Sequence, residues 1–448
     1  MVKYMNNKII KFADVPPTPF SDEMLSQYRK LGFNVYLLTE DYVKLTDNGR
    51  ITEKYKNAIR NISENGIDVW IRNMYNDPDY FENDIQKTGS NYGSEYELPP
   101  RSITSEFSQF SGVNGFYMAD EAYMYSLPKK LPVSWMNKDA YKFSSFDKLK
   151  KLADWKNKYY PDAFWHMNHV PSTSWDHYLP QDGKIYDYYD FLNNYADSIL
   201  RELKSGGRSL CLDNYPLVGE NYIEYDYLFD LLTAAKVTKE YNDSVPESQK
   251  ATFGICIQSF KCKAINDDRI RDIVSFKEIT FQLFIGLSLG AKLFEYFLYC
   301  TVGNMLGILD SNGNKRLYDI VLKANNYTDI YEKAISNYGF LSAFVSFGNE
   351  HSENTRGFIL AKNLFTENKH INVSSSCDTL ITELENNGKK GFMLVNYSDP
   401  IREQTDEIVL SVDDDLGLDR MIVNGKQVPL SDNIINFTLE PGSAAFIY

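Results

Sequence analysis

Cysteine is scarce in this chain, with five in 448 residues (Cys211, Cys256, Cys262, Cys300 and Cys377). The number is odd and no two stand in CxxC spacing, so neither a disulfide framework nor a zinc site is expected. Cys211, Cys256 and Cys300 lie in apolar runs and read as buried, reduced core residues. Long apolar runs are missing too. The most apolar window, 279–299, is broken by Gln282, Lys292 and Glu295 and is too polar to span a membrane. The opening MVKYMNNKIIKF has no apolar stretch of the signal-peptide kind, so the expected location is cytoplasmic, or secreted or periplasmic if a leader has been removed. An excess of positive charge is also lacking. The net charge is −14 and the isoelectric point is near 5.0, which excludes nucleic acid and anionic membranes as partners and suits a neutral ligand.

Aromatic residues, in contrast, are abundant, with 33 Tyr and 27 Phe. Rings of this kind stack on the C–H faces of sugars, although an A/T-rich genome produces the same excess. A length of 448 residues exceeds what one core usually serves, so two domains are expected.

Up to about residue 348, short apolar runs alternate with helix signals. The runs are 8–15, 33–38, 67–71, 115–119, 163–170, 208–212, 252–257 and 291–299. Helix signals lie between them: Ser21-Asp22-Glu23 before an amphipathic stretch to Gly32, then 52–64, 146–159, 189–204, 227–241, 276–289 and 316–337. Eight such units match a (β/α)₈ TIM barrel. A doubly wound sheet would need a glycine-rich phosphate fingerprint after an early strand, and none is present. The stretch 75–109 is long enough for a functional insertion at the rim. Beyond about residue 350 helical periodicity gives way to short alternating runs at 357–361, 379–384, 391–395, 407–412, 420–423, 434–439 and 444–448. Asn387-Gly388 between two of them is a hairpin turn signal. The expected division is a barrel over 1–348, carrying the chemistry, and a small all-β sandwich over 349–448.

Barrel sites are built at the C-terminal ends of the strands. Here those ends carry Arg72 and Asn73, Asp120 and Glu121, His166 and Asn168, Asp213 and Tyr215, Gln258, and Glu295 and Tyr299. Carboxylates, amides and tyrosines dominate, as glycoside cleavage requires: one acid protonates the leaving oxygen and a second carboxylate attacks or activates water. Glu121, with Asp120 beside it to raise its pKa, is the candidate proton donor; a helix cap plus a surface acid is the alternative. Asp213 and Glu295 are the candidate second carboxylates. Asp213 could equally form a turn before Asn-Tyr-Pro. Glu295 lies in an apolar strand and must face the lumen or pair with a base such as Arg72. Arg72, Asn73, Asp120, His166, Asn168, Tyr215, Gln258 and Tyr299 are candidate substrate contacts. His166 and His169 are three apart, on opposite faces of a strand, so no metal site is expected and no cofactor is implied.

The segments GFYMADEA (115–122), LDNYP (212–216), ICIQSF (255–260), GAKLFEYFLYC (290–300) and LEPGSAAFIY (439–448) together resemble a family of bacterial glycoside hydrolase-like proteins. The resemblance is to the clan with its acid/base and nucleophile glutamates on strands four and seven. It implies a carbohydrate substrate, an acid/base role for Glu121 after Asp120, and a closing β-sandwich. The chain departs from the pattern at strand seven, where Gln258 stands in place of the nucleophilic glutamate. A glutamine forms no glycosyl-enzyme ester. Asp213 or Glu295 must then take the role, or the reaction inverts through water, or the barrel only binds glycan. Sugar identity and oligomeric state are left open.

Overall fold

A computed structural model describes residues 9–16, 21–39, 53–72, 107, 110–119, 146–172, 185–219, 222–224, 226–262, 271–303, 305–310, 312–348, 364, 368, 370–430 and 434–448. Eight parallel strands form the barrel: β1 (Ile10–Ala13), β2 (Val35–Thr39), β3 (Asp68–Arg72), β4 (Val113–Ala119), β5 (Phe164–His169), β6 (Ser209–Leu212), β7 (Thr252–Gln258) and β8 (Leu293–Phe297). They neighbour one another in chain order, and β8 pairs with β1. Among the described residues seven helices stand outside: α1 (Asp22–Lys30), α2 (Glu53–Glu64), α3 (Phe146–Tyr159), α4 (Ile185–Tyr195), α5 (Tyr227–Asp243), α6 (Phe276–Ser288) and α7 (Tyr318–Ile335). Their ends follow local chemistry. Ser21 Oγ accepts from Met24 N at the start of α1, and Ser275 and Glu278 form a reciprocal capping box on α6.

The barrel closes between β1 and β2 largely through side chains. Asn34 N donates to Lys11 O (2.9 Å), Asn34 Oδ1 accepts from Lys11 N (3.1 Å), and Asn34 Nδ2 donates to Ile9 O (2.8 Å). Tyr28 completes the seam: its hydroxyl accepts from Ala13 N (3.0 Å) and donates to Val35 O (2.8 Å). Burial pushes that hydroxyl's pKa well up, so it remains a donor.

Every residue of β5 is buried, as expected for a strand covered on both faces. Trp165 and Met167 join the apolar layer beneath the helices, whereas Phe164 joins a lumen cluster with Ile10, Phe12, Trp70, Tyr117 and Cys256. His169 points outward onto Tyr195 (4.2 Å between ring centroids) and His166 points inward, so the two histidines face opposite ways. Burial lowers the His169 pKa to about 3 and keeps that ring neutral.

Among the described residues the all-β part has two antiparallel sheets. The six-stranded sheet runs β9 (Gly339–Ser346), β11 (Thr379–Asn386), β12 (Lys389–Asn396), β17 (Ala444–Ile447), β14 (Arg420–Val423), β15 (Lys426–Pro429). The three-stranded sheet runs β10 (Ile371–Ser375), β13 (Asp406–Val412), β16 (Ile434–Leu439). The all-β part therefore takes in β9, which lies before residue 348. Side-chain alternation lets the larger sheet serve two cores. Phe392 and Leu394 face the sandwich interior, while Met393 and Val395 pack with the barrel's outer layer. Asn387 and Gly388 both have positive φ (51° and 81°), as the two-residue turn between β11 and β12 requires. Polar ties hold this sheet to the barrel. Tyr331 OH donates to Ala444 O (2.8 Å) and Thr280 Oγ1 to Gly442 O (2.6 Å). Arg271 grips Asp399 through two nitrogens (2.8 and 3.0 Å) and also pairs with Glu278 (3.0 Å). The expected strand at 357–361 lies outside the described residues.

Candidate active site at the C-terminal mouth of the barrel

Parallel pairing fixes which side chains share the lumen. Glu295 on β8 stands level with Phe12 on β1 and Cys256 on β7, and Asn168 on β5 stands level with Cys211 on β6. Glu295 is 1% exposed. Its Oε2 lies 3.0 Å from His166 Nε2 and accepts from Asn168 Nδ2 at 3.0 Å. His166 Nδ1 lies 2.9 Å from Ser209 Oγ. Both ring nitrogens therefore have oxygen partners. Three aromatic rings surround it, Tyr117 at 4.8 Å, Phe12 at 5.3 Å and Trp70 at 5.5 Å between centroids. The pairing of Glu295 with a base is thus realised by a partner 129 residues away in the chain, and Arg72 is engaged elsewhere.

Arg72, at the end of β3, pairs through Nη1 with Asp14 Oδ1, and its guanidinium lies 4.8 Å over the Tyr117 ring. Asp14 follows β1 directly and is 2% exposed. Its backbone is tied to the end of β8, with Asp14 N donating to Tyr296 O (3.0 Å) and Tyr299 N donating to Asp14 O (2.9 Å). Sequence reasoning passed over Asp14, although an aspartate closing the first apolar run carries the same signal as Asp213.

Asp213 follows β6, its N–H donating to His169 O (2.9 Å), and its side chain is half-buried. Burial pushes the Cys256 thiol pKa well up, helped by its hydrogen bond to Cys211 and by the charges of Glu295 and then Asp213, so both carboxylates bear on the same part of the lumen. Tyr215 adjoins the lumen cluster and packs edge-on against Phe260 (4.9 Å).

Two expected substrate contacts have other work. Gln258 is fully buried. Its Oε1 accepts from Leu217 N (2.9 Å), and its Nε2 donates to Leu217 O (2.9 Å) and Arg271 O (3.3 Å). The carboxamide imitates a strand edge and fastens the loops after β6 and β7, leaving no group turned to the mouth. Tyr299 lies beyond the end of β8 and packs outside the lumen against Tyr28 (5.4 Å) and Phe33 (6.3 Å). It belongs to the layer beneath the helices, because β8 stops at Phe297, two residues short of the apolar run that suggested it. Asn73, Asp120 and Glu121 lie outside the described residues.

A second carboxylate pair stands behind the rim. Asp230 Oδ2 accepts from Ser172 N (3.0 Å) and Asn214 Nδ2 (2.8 Å), while Asp226 Oδ2 accepts from Ser172 Oγ (3.4 Å). Both acids are fully buried. Burial first, and the neighbouring Asp226 second, push the Asp230 carboxyl well above its usual range. The sequence signal was two acids four apart in an apolar window, on one face of a helix start.

No protein-family model matches the chain, and no curated protein matches its sequence. Among solved structures, the chain is similar to a β-galactosidase from Bacillus circulans sp. alkalophilus, with a TM-score of 0.57 and 9% identity over 98% of this chain and 99% of that one. It is also similar to a catalytic mutant of a GH42 β-galactosidase from G. stearothermophilus, with a TM-score of 0.56 and 7% identity over 98% of each chain. The eight-stranded barrel with its closing β-sandwich is the fold of these glycoside hydrolases.

Proposed function

We propose that the protein is a glycosidase that cleaves a glycosidic bond of an oligo- or polysaccharide, with Glu121 as general acid and Asp213 as the second carboxylate. The observation that carries this reading is the position of Asp213, a half-buried acid directly after β6 on the C-terminal side of the barrel. On the same side, β4 ends at Ala119, and the next two residues in sequence are Asp120 and Glu121. Glu295 suits the second role less well. A nucleophile or base must reach the anomeric carbon or a water, and Glu295 is buried with one oxygen held by two donors. Its part is electrostatic, as a buried charge beneath the mouth. Arg72, Tyr215, Asn73 and Asp120 are proposed as the groups around the sugar. The barrel, up to α7, would carry this chemistry, with the all-β part from β9 onward as its supporting module.

Turnover of a panel of aryl-glycosides and oligosaccharides tests the reading in wild type, Glu121→Gln and Asp213→Asn. Loss of either group should lower kcat by about 10²–10⁴-fold. Full turnover in Glu121→Gln rejects the assigned acid, and full turnover in both variants rejects the proposed site.

A second reading, a glycan-binding barrel without hydrolysis, is favoured by one observation. The end of β7 offers Gln258, whose amide is wholly engaged with backbone. It predicts calorimetric binding of an oligosaccharide with no product formed and little change in affinity on Asp213→Asn.

A further inference from the structure

We propose that His166, Cys211 and Glu295 form a binding site for a divalent metal ion, of the zinc class, inside the barrel. One ligand atom from each residue lies within 4.8 Å of the other two, and all three residues are buried. A tetrahedral ion with bonds of about 2.0–2.3 Å needs ligand atoms roughly 3.3–3.8 Å apart, so the present cluster accepts one with small side-chain movements. The site shares Glu295 with the glycosidase reading but uses neither of its proposed reacting groups, Glu121 and Asp213, and metal retention is read without turnover.

The surroundings are arranged as those of a metal centre are. The ligands come from three strands, β5, β6 and β8, each on the lumen face. Strand β7 crosses between β6 and β8 and contributes Gly254 level with both Cys211 and Leu293. A Cβ on Gly254 would come within 3.0 Å of Cys211 Sγ and 2.8 Å of Leu293 Cδ2, so the glycine leaves the space into which the thiol leans. Ser209 holds the far nitrogen of His166 at 2.9 Å, leaving Nε2 as the ligand atom, and Asn168 Nδ2 donates to Glu295 Oε2 at 3.0 Å. Hydrogen bonds of this kind orient first ligands in metal sites. Cys256, whose thiol is hydrogen-bonded to that of Cys211, lies beside the cluster. Imidazole with thiolate selects zinc over magnesium or calcium. Metal ligation needs the Cys211 thiolate and a His166 Nε2 without a proton, so the Cys211 thiol proton is released to solvent. The resulting thiolate and the carboxylate then balance the two positive charges of the ion. Buried on all sides, such an ion would tie three strands across the lumen rather than meet substrate.

The test is metal retention by the full chain refolded with Zn²⁺, washed with chelator and analysed by elemental mass spectrometry. A parallel preparation is refolded with Co²⁺ and read by its near-ultraviolet thiolate-to-cobalt band. Wild type is expected to keep stoichiometric zinc and to show the band. Cys211→Ala should lose both, and Cys377→Ser, which alters a cysteine in the sandwich, should keep both. The proposal is overturned if wild type retains no zinc and shows no band, if Cys211→Ala retains both undiminished, or if Cys377→Ser abolishes the band. Should Cys211→Ala fail to fold, the wild-type and Cys377→Ser samples still decide the matter.

Discussion

Arg271 offers a direct measure of how the sandwich is coupled to the barrel. Its side chain is 9% exposed, and both carboxylates it meets, Glu278 at the start of α6 and Asp399 in the sandwich, are fully buried. Arg271→Ala leaves two buried acids without their cation, and breaking a buried pair in this way costs about 3–5 kcal/mol. Some hydrogen bonds survive. Glu278 Oε2 still accepts from Ser275 N (2.9 Å) and Asp399 Oδ1 still accepts from Ile401 N (3.1 Å). The expected loss is therefore at the lower end, about 3 kcal/mol. Urea unfolding measures it as a shifted midpoint at constant slope. Tryptophan fluorescence reports the barrel, because all five tryptophans precede residue 176, and far-ultraviolet circular dichroism reports both parts. In Arg271→Ala the two transitions should separate, with the sandwich losing its grip first. Arg271→Lys, which keeps the charge but not the two-pronged geometry, should fall between. A loss below about 1 kcal/mol with coincident transitions would refute the reasoning, since a buried ion pair would then be contributing no more than an exposed one.

Gln258→Glu, which restores the carboxylate expected at the end of strand seven, should not create a nucleophile. It removes the donor to Leu217 O and Arg271 O and buries a charge against two carbonyls, so it should lower stability by about 1–3 kcal/mol or more without raising turnover, as thermal melts and the glycoside panel would report. Glu295→Gln should reduce kcat by less than about 10-fold while Asp213→Asn reduces it by at least about 10²-fold; equal losses in the two would return Glu295 to the reacting centre. Asp230 binds its proton more tightly folded than unfolded, so its contribution to stability is full below its ordinary pKa of 3.8 and is lost as pH rises through the elevated folded value. Asp230→Asn should therefore flatten the fall of stability with rising pH, by up to about 1.4 kcal/mol per pH unit, in melts collected across the acid-to-neutral range.

Much of the barrel was legible because its strands are short apolar runs punctuated by glycine or by polar residues. The run 208–212 became Ser209–Leu212, and 276–289 became Phe276–Ser288. The helix expected over 189–204 starts earlier, at Ile185, and gives way after Tyr195 to a π-helical turn, Ala196–Leu200, a change of hydrogen-bond register that periodicity does not encode. Barrel closure by Asn34 and Tyr28 was not legible, since both act only once β1 and β2 stand side by side. In the sandwich, Arg420–Val423 and Ile434–Leu439 coincide with the expected runs, while β9, β10 and β15 were missed. The polar β15 had a usable signal all the same. Asn424-Gly425 precedes it with φ of 51° and 73°, the same turn as Asn387-Gly388. Side-chain partnerships were the least legible part. Spacing can assign Glu295 to the lumen, yet its partner depends on which strand lies opposite, and that is a property of the closed barrel.

The lumen also explains why one strand-end inventory yields residues of such different kinds. Where a strand ends matters as much as which residue ends it. Asp213 lies one residue past β6 and is half-buried, whereas Glu295 lies mid-strand and is sealed by Phe12, His166 and Asn168. Gln258 is the last residue of β7, but its amide is drawn sideways to the backbone of Leu217 and Arg271. A carboxylate there would meet the carbonyl oxygens of Leu217 and Arg271, so glutamine suits the loop packing in a way an acid would not. The contrast between Asp213 and Glu295 thus turns on burial rather than on the kind of group each carries.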